Sequence, residues 1–302
     1  MSITPRRGWL IACAVLTLAC VAGPAQARTS AKFSPRVQNR PVVPGSQYLA
    51  LGDSVTFGYM ESQVVPTPNY SDPASFEAYP EQVAAALHLT VANAACPGET
   101  SSSLINANGP SLACESTPTG SSAHYRFNFP LHVNYAGSQL AYALSYLKHH
   151  HNVRLVSLMI GANDYFRCQA LTADSCASPS EMAALLSTLT QNIHTILSDV
   201  RKQAHYTGQI VIVNYYSLSY ASPTQAAQAQ RLDQIQDAAA KPYHVEIADG
   251  YGEFAVASAH SGGDPCTAGL LTQVGGGKCG IHPSYAGQAL LAQSVEKAIK
   301  LG

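Results

Sequence analysis

Two residues that lie far apart in the chain could together form a nucleophile and its base. Ser54 closes the turn sequence Gly52-Asp53-Ser54, which directly follows the apolar run 48–51. His282 lies near the end of the chain, before Pro283. A serine hydroxyl becomes an effective nucleophile when a neutral imidazole accepts its proton. The pair is therefore a candidate for attack on an acyl carbonyl.

Two turns between these residues carry groups that could stabilise the resulting oxyanion. Gly98 and Asn163 each follow a predicted strand. A tetrahedral intermediate needs preorganised donors, and one donor is worth about 3–4 kcal/mol. The main-chain N–H groups of Ser54 and Gly98 and the side-chain amide of Asn163 are suitable, and Gly98 lets the backbone approach a substrate closely. We expect the adjacent Asp53 and Asp164 to shape their turns through local hydrogen bonds.

The segments that must position these residues alternate between strand-like and helix-like patterns. The expected strands are residues 48–51, 90–94, 153–160, 209–215 and 244–248. The expected helices are residues 79–87, 139–149, 181–204, 225–240 and 285–300. The strand 153–160 is almost continuously apolar, which is typical of a strand covered on both faces. The pattern predicts a three-layer α/β/α sandwich around a mostly parallel five-stranded sheet.

The carboxyl ends of parallel strands are where such sheets bind ligands. Ser54, Gly98 and Asn163 each follow a strand at that end, so we expect them to share one site. The segment 106–137 interrupts the alternation with a long loop that contains several aromatic residues. Long loops inside compact domains are often functional. This one is expected either to form an apolar wall or lid for an acyl chain, or to be pinned to the surface by aromatic anchors.

Taken in order, the four motifs resemble those of the SGNH (GDSL) hydrolase family, and most closely its secreted bacterial esterase and lipase branch. The resemblance covers nearly the whole chain after the N-terminal segment. It implies a flavodoxin-like fold, no cofactor, and an acyl-enzyme on Ser54 with His282 as general base and acid. It also implies an oxyanion hole made by Ser54, Gly98 and Asn163.

The chain departs from this family at the residue that should orient the histidine. The usual carboxylate lies three residues before it, where this chain has Cys279, and no acidic residue occurs between Asp264 and His282. We expect a main-chain carbonyl, at Cys279 or Gly280, to accept the Nδ1–H of His282, as in those relatives that use a Ser–His dyad. The alternative is that Asp264 or Asp249 replaces the missing acid.

The N-terminal residues have the pattern of an export signal. Arg6 and Arg7 precede the apolar run 10–21, and Ala25-Gln26-Ala27 provides a small-residue cleavage site. The expected organisation is a signal peptide at 1–27, a mobile lead-in at 28–46 and a catalytic domain at 47–302. We expect secretion by the Sec or twin-arginine route, with no stable membrane span in the mature chain.

Six of the eight cysteines lie after this signal. An even number in an exported protein predicts disulfides, and several connectivities are open. Neighbouring pairs are the simplest, namely Cys96–Cys114, Cys168–Cys176 and Cys266–Cys279. No Cys-x-x-Cys motif occurs, so a metal site is not expected.

The formal net charge of −1 gives no basic footprint for nucleic-acid binding.

The motifs together predict a monomeric carboxylic ester hydrolase, an esterase or lipase, that acts on a small-molecule or lipid ester. Two alternatives remain open. One is a carbohydrate O-deacetylase, and the other is a catalytically inactive exported binding protein with the same fold.

Overall fold

A computed structural model of the chain describes residues 39–115 and 124–302. The predicted signal peptide, residues 28–38 of the predicted lead-in and residues 116–123 of the long loop lie outside the described residues. Within those ranges, no helix has the length and apolar character needed to cross a membrane.

The described part of the chain alternates between strands and helices, as predicted. The strands are β1 (Gln47–Gly52), β2 (Thr90–Asn93), β3 (Val153–Met159), β4 (Gln209–Val213), β5 (Glu246–Ala248), β6 (Leu271–Gly275) and β7 (Lys278–Pro283). The α-helices are α1 (Ser54–Phe57), α2 (Tyr79–Leu87), α3 (Ser101–Ile105), α4 (Tyr125–Asn128), α5 (Gln139–His149), α6 (Ala162–Leu171), α7 (Pro179–Lys202), α8 (Pro223–Ala240), α9 (Gly250–Ser258) and α10 (Tyr285–Ala298).

Strands β1 to β5 form one parallel sheet in the order β2-β1-β3-β4-β5. This confirms the predicted α/β class and the five-stranded sheet. From β1 the chain passes to β2 on one side, and β3 then pairs on the other side of β1. The loops after β1 and β3 therefore lead away in opposite directions, which opens a crevice between them at the carboxyl edge.

Both faces of the sheet are covered, and the alternation of side chains in β1 shows how. Leu49 packs in a cluster with residues of α5 and α7 on one face, including Leu147. Tyr48 packs on the other face with residues of α2, α9 and α10, including Leu291. Because successive residues of a strand point to opposite faces, a central strand between two helical layers must be apolar throughout. This explains the pattern in β3.

Strands β6 and β7 form a small antiparallel hairpin that was not predicted from the sequence. Its turn is the run Gly275-Gly276-Gly277, and all three glycines have a left-handed φ, between +61° and +90°. Short strands around three glycines have the composition of a loop, so no local pattern predicts a strand there. The hairpin matters for function because β7 contains His282.

The packed domain begins earlier than the predicted boundary at residue 47. Val42 is 2% exposed, and its N–H donates to the carbonyl of Lys300 at 2.8 Å. The side-chain amide of Gln209 also donates to the carbonyl of Arg40 at 2.9 Å. Residues 40–46 are thus held by the end of the chain and by β4, and they are not a mobile lead-in.

The three predicted disulfides are confirmed: Cys96–Cys114, Cys168–Cys176 and Cys266–Cys279. The first links the loop after β2 to the long loop, the second links α6 to the turn before α7, and the third fastens β7 to the segment before β6. Each lies close to one of the predicted site motifs.

Candidate active site

Ser54 is placed by a tight turn at the end of β1. A Cβ on Gly52 would lie 2.5 Å from the carbonyl oxygen of Met159 in the neighbouring strand, so only glycine fits there. The side chain of Gln139 makes two hydrogen bonds with Gly52. Its amide oxygen accepts from the N–H of Gly52 at 2.6 Å, and its amide nitrogen donates to the carbonyl of Gly52 at 3.0 Å. Asp53 then caps α1 by accepting from the N–H of Val55 at 3.0 Å. Ser54 is consequently the first residue of the helix.

The structure brings His282 to Ser54, as the sequence predicted. The Nε2 of His282 lies 2.9 Å from the Oγ of Ser54. The hydroxyl of Tyr216 donates to the carbonyl of Ile281 at 2.6 Å and holds the end of the hairpin in place. The ring of Tyr59 packs edge-on against the imidazole, with centroids 4.9 Å apart. The geometry is that of a serine nucleophile and its base.

The group that faces the other side of the imidazole is a carboxylate that the sequence analysis did not nominate. The Oε1 of Glu61 lies 2.8 Å from the Nδ1 of His282. The same oxygen accepts from the N–H of Ile281 at 2.9 Å, and Oε2 accepts from the hydroxyl of Thr272 at 2.5 Å. Burial alone would raise the pKa of Glu61. The hydrogen bond and charge of His282 and the hydroxyl of Thr272 outweigh burial and lower that pKa to about 2.

The expected main-chain carbonyl at Cys279 or Gly280 is therefore not the partner of the Nδ1 atom. Gly280 has a different role, since a Cβ there would lie 2.0 Å from the Oε1 of Glu61. The two alternative acids are engaged elsewhere. Asp264 accepts from the N–H of Cys266 at 2.9 Å and from the hydroxyl of Thr267 at 2.7 Å, and Asp249 caps α9.

Sequence reasoning could not have found Glu61 from its spacing to the histidine, because 221 positions separate the two residues. Glu61 lies in the irregular segment between α1 and α2, where no periodic pattern marks the side chains that face inward. Its only sequence signal is that it follows Ser54 by seven positions, so the turn that returns from α1 can bring it back to the site.

The residues predicted to bind the oxyanion also converge beside Ser54. As N1 of α1, Ser54 has an N–H that makes no hydrogen bond within the helix. Gly98 has a φ of +80°, and a Cβ on it would lie 2.4 Å from the N atom of Ala113. Glycine is thus required by the backbone conformation and by contact with the long loop, in addition to any approach of substrate.

Asn163 reaches the same place from the start of α6, but its amide is already engaged. Its Nδ2 donates to the carbonyl of Glu99 at 2.9 Å and to the Oδ2 of Asp53 at 3.3 Å. The hydroxyl of Tyr215 also donates to that oxygen at 2.5 Å. Burial raises the pKa of Asp53 to about 6, although the hydrogen bond from Tyr215 opposes the rise. An oxyanion would compete with Asp53 for the side-chain N–H of Asn163, because the contact to Asp53 is the longer of the two.

Two further buried carboxyl groups hold the loop that contains Gly98. Asp164 accepts from the N–H of Ser101 at 2.8 Å and from its hydroxyl at 2.6 Å. Glu99 is 1% exposed and contacts the side chains of Ser103 and Gln139. Burial raises the pKa of Glu99 to about 8, with the hydrogen bond from Ser103 opposing the rise. Asp164 therefore shapes its turn as expected, while the structural role of Glu99 was missed.

The same region contains the one group of potential metal ligands that clusters tightly within the described residues. Cys96, Glu99 and Cys114 offer ligand atoms that lie within 4.8 Å of one another. The two cysteines form a disulfide, however, so no thiolate is present to bind a metal.

The sequence model of the GDSL-like lipase/acylhydrolase family matches residues 50–290, a range that includes Ser54, Glu61 and His282. The chain belongs to this family. It is accordingly a carboxylic ester hydrolase. None of the curated protein sequences compared with the chain matches it.

Solved structures with a similar fold include two enzymes with low sequence identity to this GDSL hydrolase. One is LAE5, an alpha/beta hydrolase from the metagenome of Lake Arreo, with 15% identity, a TM-score of 0.50, and coverage of 85% of this chain and 95% of that one. Another is Axe2, an acetylxylan esterase from Geobacillus stearothermophilus, with 14% identity, a TM-score of 0.50, and coverage of 87% and 98%. At this identity the likeness shows a shared fold.

A large cavity opens directly onto the predicted catalytic residues of this GDSL hydrolase. Its volume is about 1070 Å³, and Ser54, Gly98, Asn163 and His282 all line it. Beyond these polar groups the wall is largely apolar and comes from α6, α7 and α8, including Phe166, Met182, Leu185, Leu186 and Leu232. Ligand sites commonly have volumes of roughly 300–1000 Å³, so this cavity is at the upper end of the range.

The long loop contributes less to this wall than the sequence suggested. Of its described aromatic residues, Tyr125 lines the cavity. Phe129 packs against Tyr70 and Tyr125, with ring centroids 5.4 and 5.3 Å apart. Phe127 is 56% exposed. The anchoring interpretation fits Phe129, and the interpretation as a cavity wall applies only to Tyr125 and its neighbours Leu112 and Ala113.

Proposed function

We propose that the protein is a secreted serine esterase that hydrolyses esters of medium-chain and long-chain acyl groups. The observation that carries this proposal is the apolar cavity that begins at Ser54 and extends between α6, α7 and α8. The catalytic residues support the reaction type, and the cavity supports the class of substrate.

In the proposed reaction, the Oγ of Ser54 attacks the ester carbonyl while the Nε2 of His282 removes the hydroxyl proton. The oxyanion that forms accepts hydrogen bonds from the N–H groups of Ser54 and Gly98, with the amide of Asn163 as a third donor. The imidazolium then gives its proton to the departing alcohol, which leaves an acyl-enzyme. Water, deprotonated by His282, releases the acid and restores Ser54.

We assign Glu61 as the residue that orients His282, in place of the dyad expected from the sequence. A carboxylate at Nδ1 keeps the proton on that nitrogen, so that Nε2 is free to accept the proton of Ser54. It also stabilises the positive charge that the imidazole acquires in the transition state. The low pKa of Glu61 supports this role, because the side chain is ionised across the pH range in which esterases work.

The size and composition of the cavity favour acyl chains over acetyl groups. Each methylene removed from water contributes at most about 0.8 kcal/mol to the free energy of binding, so an apolar cavity of this volume favours esters with a longer acyl chain. An acetyl group would leave most of the wall between Phe166 and Leu186 without contact. The preference for longer acyl chains therefore depends on the residues of α6, α7 and α8 that line the cavity.

Secretion is supported by the signal-like residues 1–27 and by the three disulfides, which persist in oxidising compartments. The proposed catalytic groups all belong to one chain, so a monomer is sufficient for activity. Binding without catalysis is disfavoured because Ser54, His282 and Glu61 are already within hydrogen-bond distance.

The test is hydrolysis of para-nitrophenyl acetate, butyrate, octanoate and palmitate by the oxidised mature protein and by Ser54→Ala. We expect kcat/KM to rise from acetate to octanoate and activity to be lost in the variant. Met182→Trp, in the cavity wall, should lower the octanoate rate more than the acetate rate. Ala184→Trp, on the exposed side of the same helix, is the matched control and should leave the ratio unchanged.

A maximal rate on acetate that does not depend on Met182 would replace the acyl-chain assignment with O-deacetylation. Turnover that persists in Ser54→Ala would contradict the nucleophile itself. A complete lack of turnover, with no labelling of Ser54 by a fluorophosphonate, would favour an inactive binding protein.

A further inference from the structure

Gln139 lies where the turn that contains Ser54 meets the loop that contains Gly98. It is the first residue of α5, and it is 0% exposed. It does not line the cavity, and the motifs of the sequence assign it no role. Its side-chain amide nevertheless contacts the main chain of the first motif and a buried carboxyl group of the second.

The first contact is with the main chain of Gly52, two residues before Ser54. The amide oxygen of Gln139 accepts from the N–H of Gly52, and the amide nitrogen donates to its carbonyl. Because an N–H only donates and a carbonyl only accepts, these two bonds fix the orientation of the amide. The N–H of Cys96, two residues before Gly98, donates to the same carbonyl at 3.2 Å. The two motifs therefore meet at Gly52.

The second contact is with Glu99, the residue that directly follows Gly98. The amide nitrogen of Gln139 donates to the Oε2 of Glu99 at 3.0 Å. The N–H of Glu99 closes the turn around Gly98 by donating to the carbonyl of Cys96 at 3.1 Å. The carbonyl of Glu99 accepts from the Nδ2 of Asn163 at 2.9 Å. Gln139 thus holds the residue that sets the position of two proposed oxyanion donors.

Burial makes this link difficult to replace. Glu99 is 1% exposed, so bulk water does not take over a hydrogen bond that Gln139 loses. Burial also raises the pKa of Glu99 to about 8, so the carboxyl group holds a proton near neutral pH. In that form it can donate to the hydroxyl of Ser103 while it accepts from Gln139. The link therefore joins neutral groups and adds no negative charge beside the oxyanion.

We propose that Gln139 is a positioning residue for ester hydrolysis, which sets the distance between Ser54 and the oxyanion donors by holding Gly52 and Glu99 together. The inference rests on the oxyanion hole proposed above and adds the side chain that keeps its two halves in register. Oxyanion donors act because they are preorganised, and a displacement of about 1 Å can cost about 100-fold in rate. A buried side chain that fixes this spacing therefore affects kcat without contacting the substrate.

The test compares Gln139→Met with the wild type on para-nitrophenyl butyrate. Methionine is a flexible, unbranched side chain that fills a similar space and replaces none of these hydrogen bonds. We expect kcat to fall about 10- to 100-fold while KM stays within about threefold, because the donors act on the transition state. Glu99→Met breaks the same link but keeps both bonds between Gln139 and Gly52. It should also lower kcat, and it keeps the proposal testable if Gln139→Met does not fold.

Two inhibitors distinguish positioning from a general loss of structure. A trifluoromethyl ketone adds to the Oγ of Ser54, the hydroxyl proton passes to His282, and the resulting oxyanion lies among the donors. A methyl ketone of the same chain length binds without forming this adduct to a comparable extent. In Gln139→Met, the inhibition constant of the trifluoromethyl ketone should rise by about the factor by which kcat/KM falls. The inhibition constant of the methyl ketone should stay unchanged.

Two further variants serve as controls. Glu99→Gln keeps an acceptor for Gln139 and provides a donor for Ser103, so this conservative change should retain kcat within about threefold. Leu147→Ala removes a buried side chain near the other end of α5. It should lower the midpoint of thermal unfolding and leave kcat and both inhibition constants unchanged.

The proposal is overturned if whichever of Gln139→Met and Glu99→Met folds keeps kcat within about threefold of the wild type. It is also overturned if both ketones lose affinity equally in Gln139→Met, since that result shows a general loss of structure. Asn163→Ala tests the oxyanion hole separately. Unchanged binding of the trifluoromethyl ketone to that variant would contradict Asn163 as a donor. Weakened binding there, with wild-type behaviour in Gln139→Met, would contradict only the role of Gln139.

Discussion

Replacing Glu61 with glutamine removes one negative charge from beside His282 and keeps the shape of the side chain. The amide oxygen can still accept from the Nδ1 of His282 and from the N–H of Ile281, while the new NH₂ group faces the hydroxyl of Thr272, which can accept. The imidazole therefore keeps its orientation and its proton. What disappears is the attraction between the carboxylate and the imidazolium formed in the transition state.

The size of that loss follows from the geometry. Opposite unit charges 2.8 Å apart attract by about 1.5 kcal/mol in water and by about 6 kcal/mol at an effective dielectric constant of about 20. The His282 and Glu61 side chains are 11% and 18% exposed, so solvent screens the pair in part. We expect a loss of about 2–4 kcal/mol, which is roughly a 30- to 1000-fold decrease in kcat/KM. Glu61→Ala also removes the orienting group and should lose about 10⁴-fold.

The assay is kcat/KM on para-nitrophenyl butyrate, with thermal unfolding to show that each variant is folded. Asp264→Asn is the matched control, because its carboxylate makes only local contacts with Cys266 and Thr267. It should keep most of the activity. Wild-type activity in Glu61→Gln, or an equal loss in Asp264→Asn, would refute the assignment of Glu61.

Three other changes test how the fold supports the site. Gly280→Ala should push Glu61 away from the histidine and lower kcat/KM by about 10- to 100-fold, and combining it with Glu61→Gln should add little, because neighbouring substitutions acting on one interaction are not additive. The pKa of Glu99 is raised to about 8 by burial, so the folded chain retains a proton that the unfolded chain releases above pH 4.5. The contribution of Glu99 to the free energy of unfolding should therefore fall as the pH rises from about 4.5 to 8, by at most about 1.4 kcal/mol per pH unit, and Glu99→Gln should flatten this slope in urea unfolding. Replacing Cys266 and Cys279 together with serine should lower the free energy of unfolding by about 2–4 kcal/mol and reduce kcat, since the hairpin that carries the histidine loses its link; denaturation and kinetics under oxidising conditions check both effects.

The elements that the sequence predicted well are those whose pattern is local. Helices α2 and α5 have the predicted bounds, and β1 to β5 were located to within about two residues at each end. Hydrophobic periodicity reflects burial directly, so long helices and strands around a sheet that is covered on both faces can be predicted from it. The elements that were missed, namely α1, α3, α4, α6, α9 and the β6–β7 hairpin, are short, polar or rich in glycine.

The same distinction between local patterns and distant contacts applies to the residues of the site. The amino-acid sequence alone determined the candidate nucleophile, its candidate base and the strand ends where a site was expected, because these residues occupy motifs tied to strands and turns. Only the tertiary structure decided that Glu61 faces His282 across 221 positions, and that α6, α7 and α8 enclose an apolar cavity. Both are contacts between segments that are distant in sequence. Their geometry depends on how the packed layers place each loop, and no local pattern of residues encodes that placement.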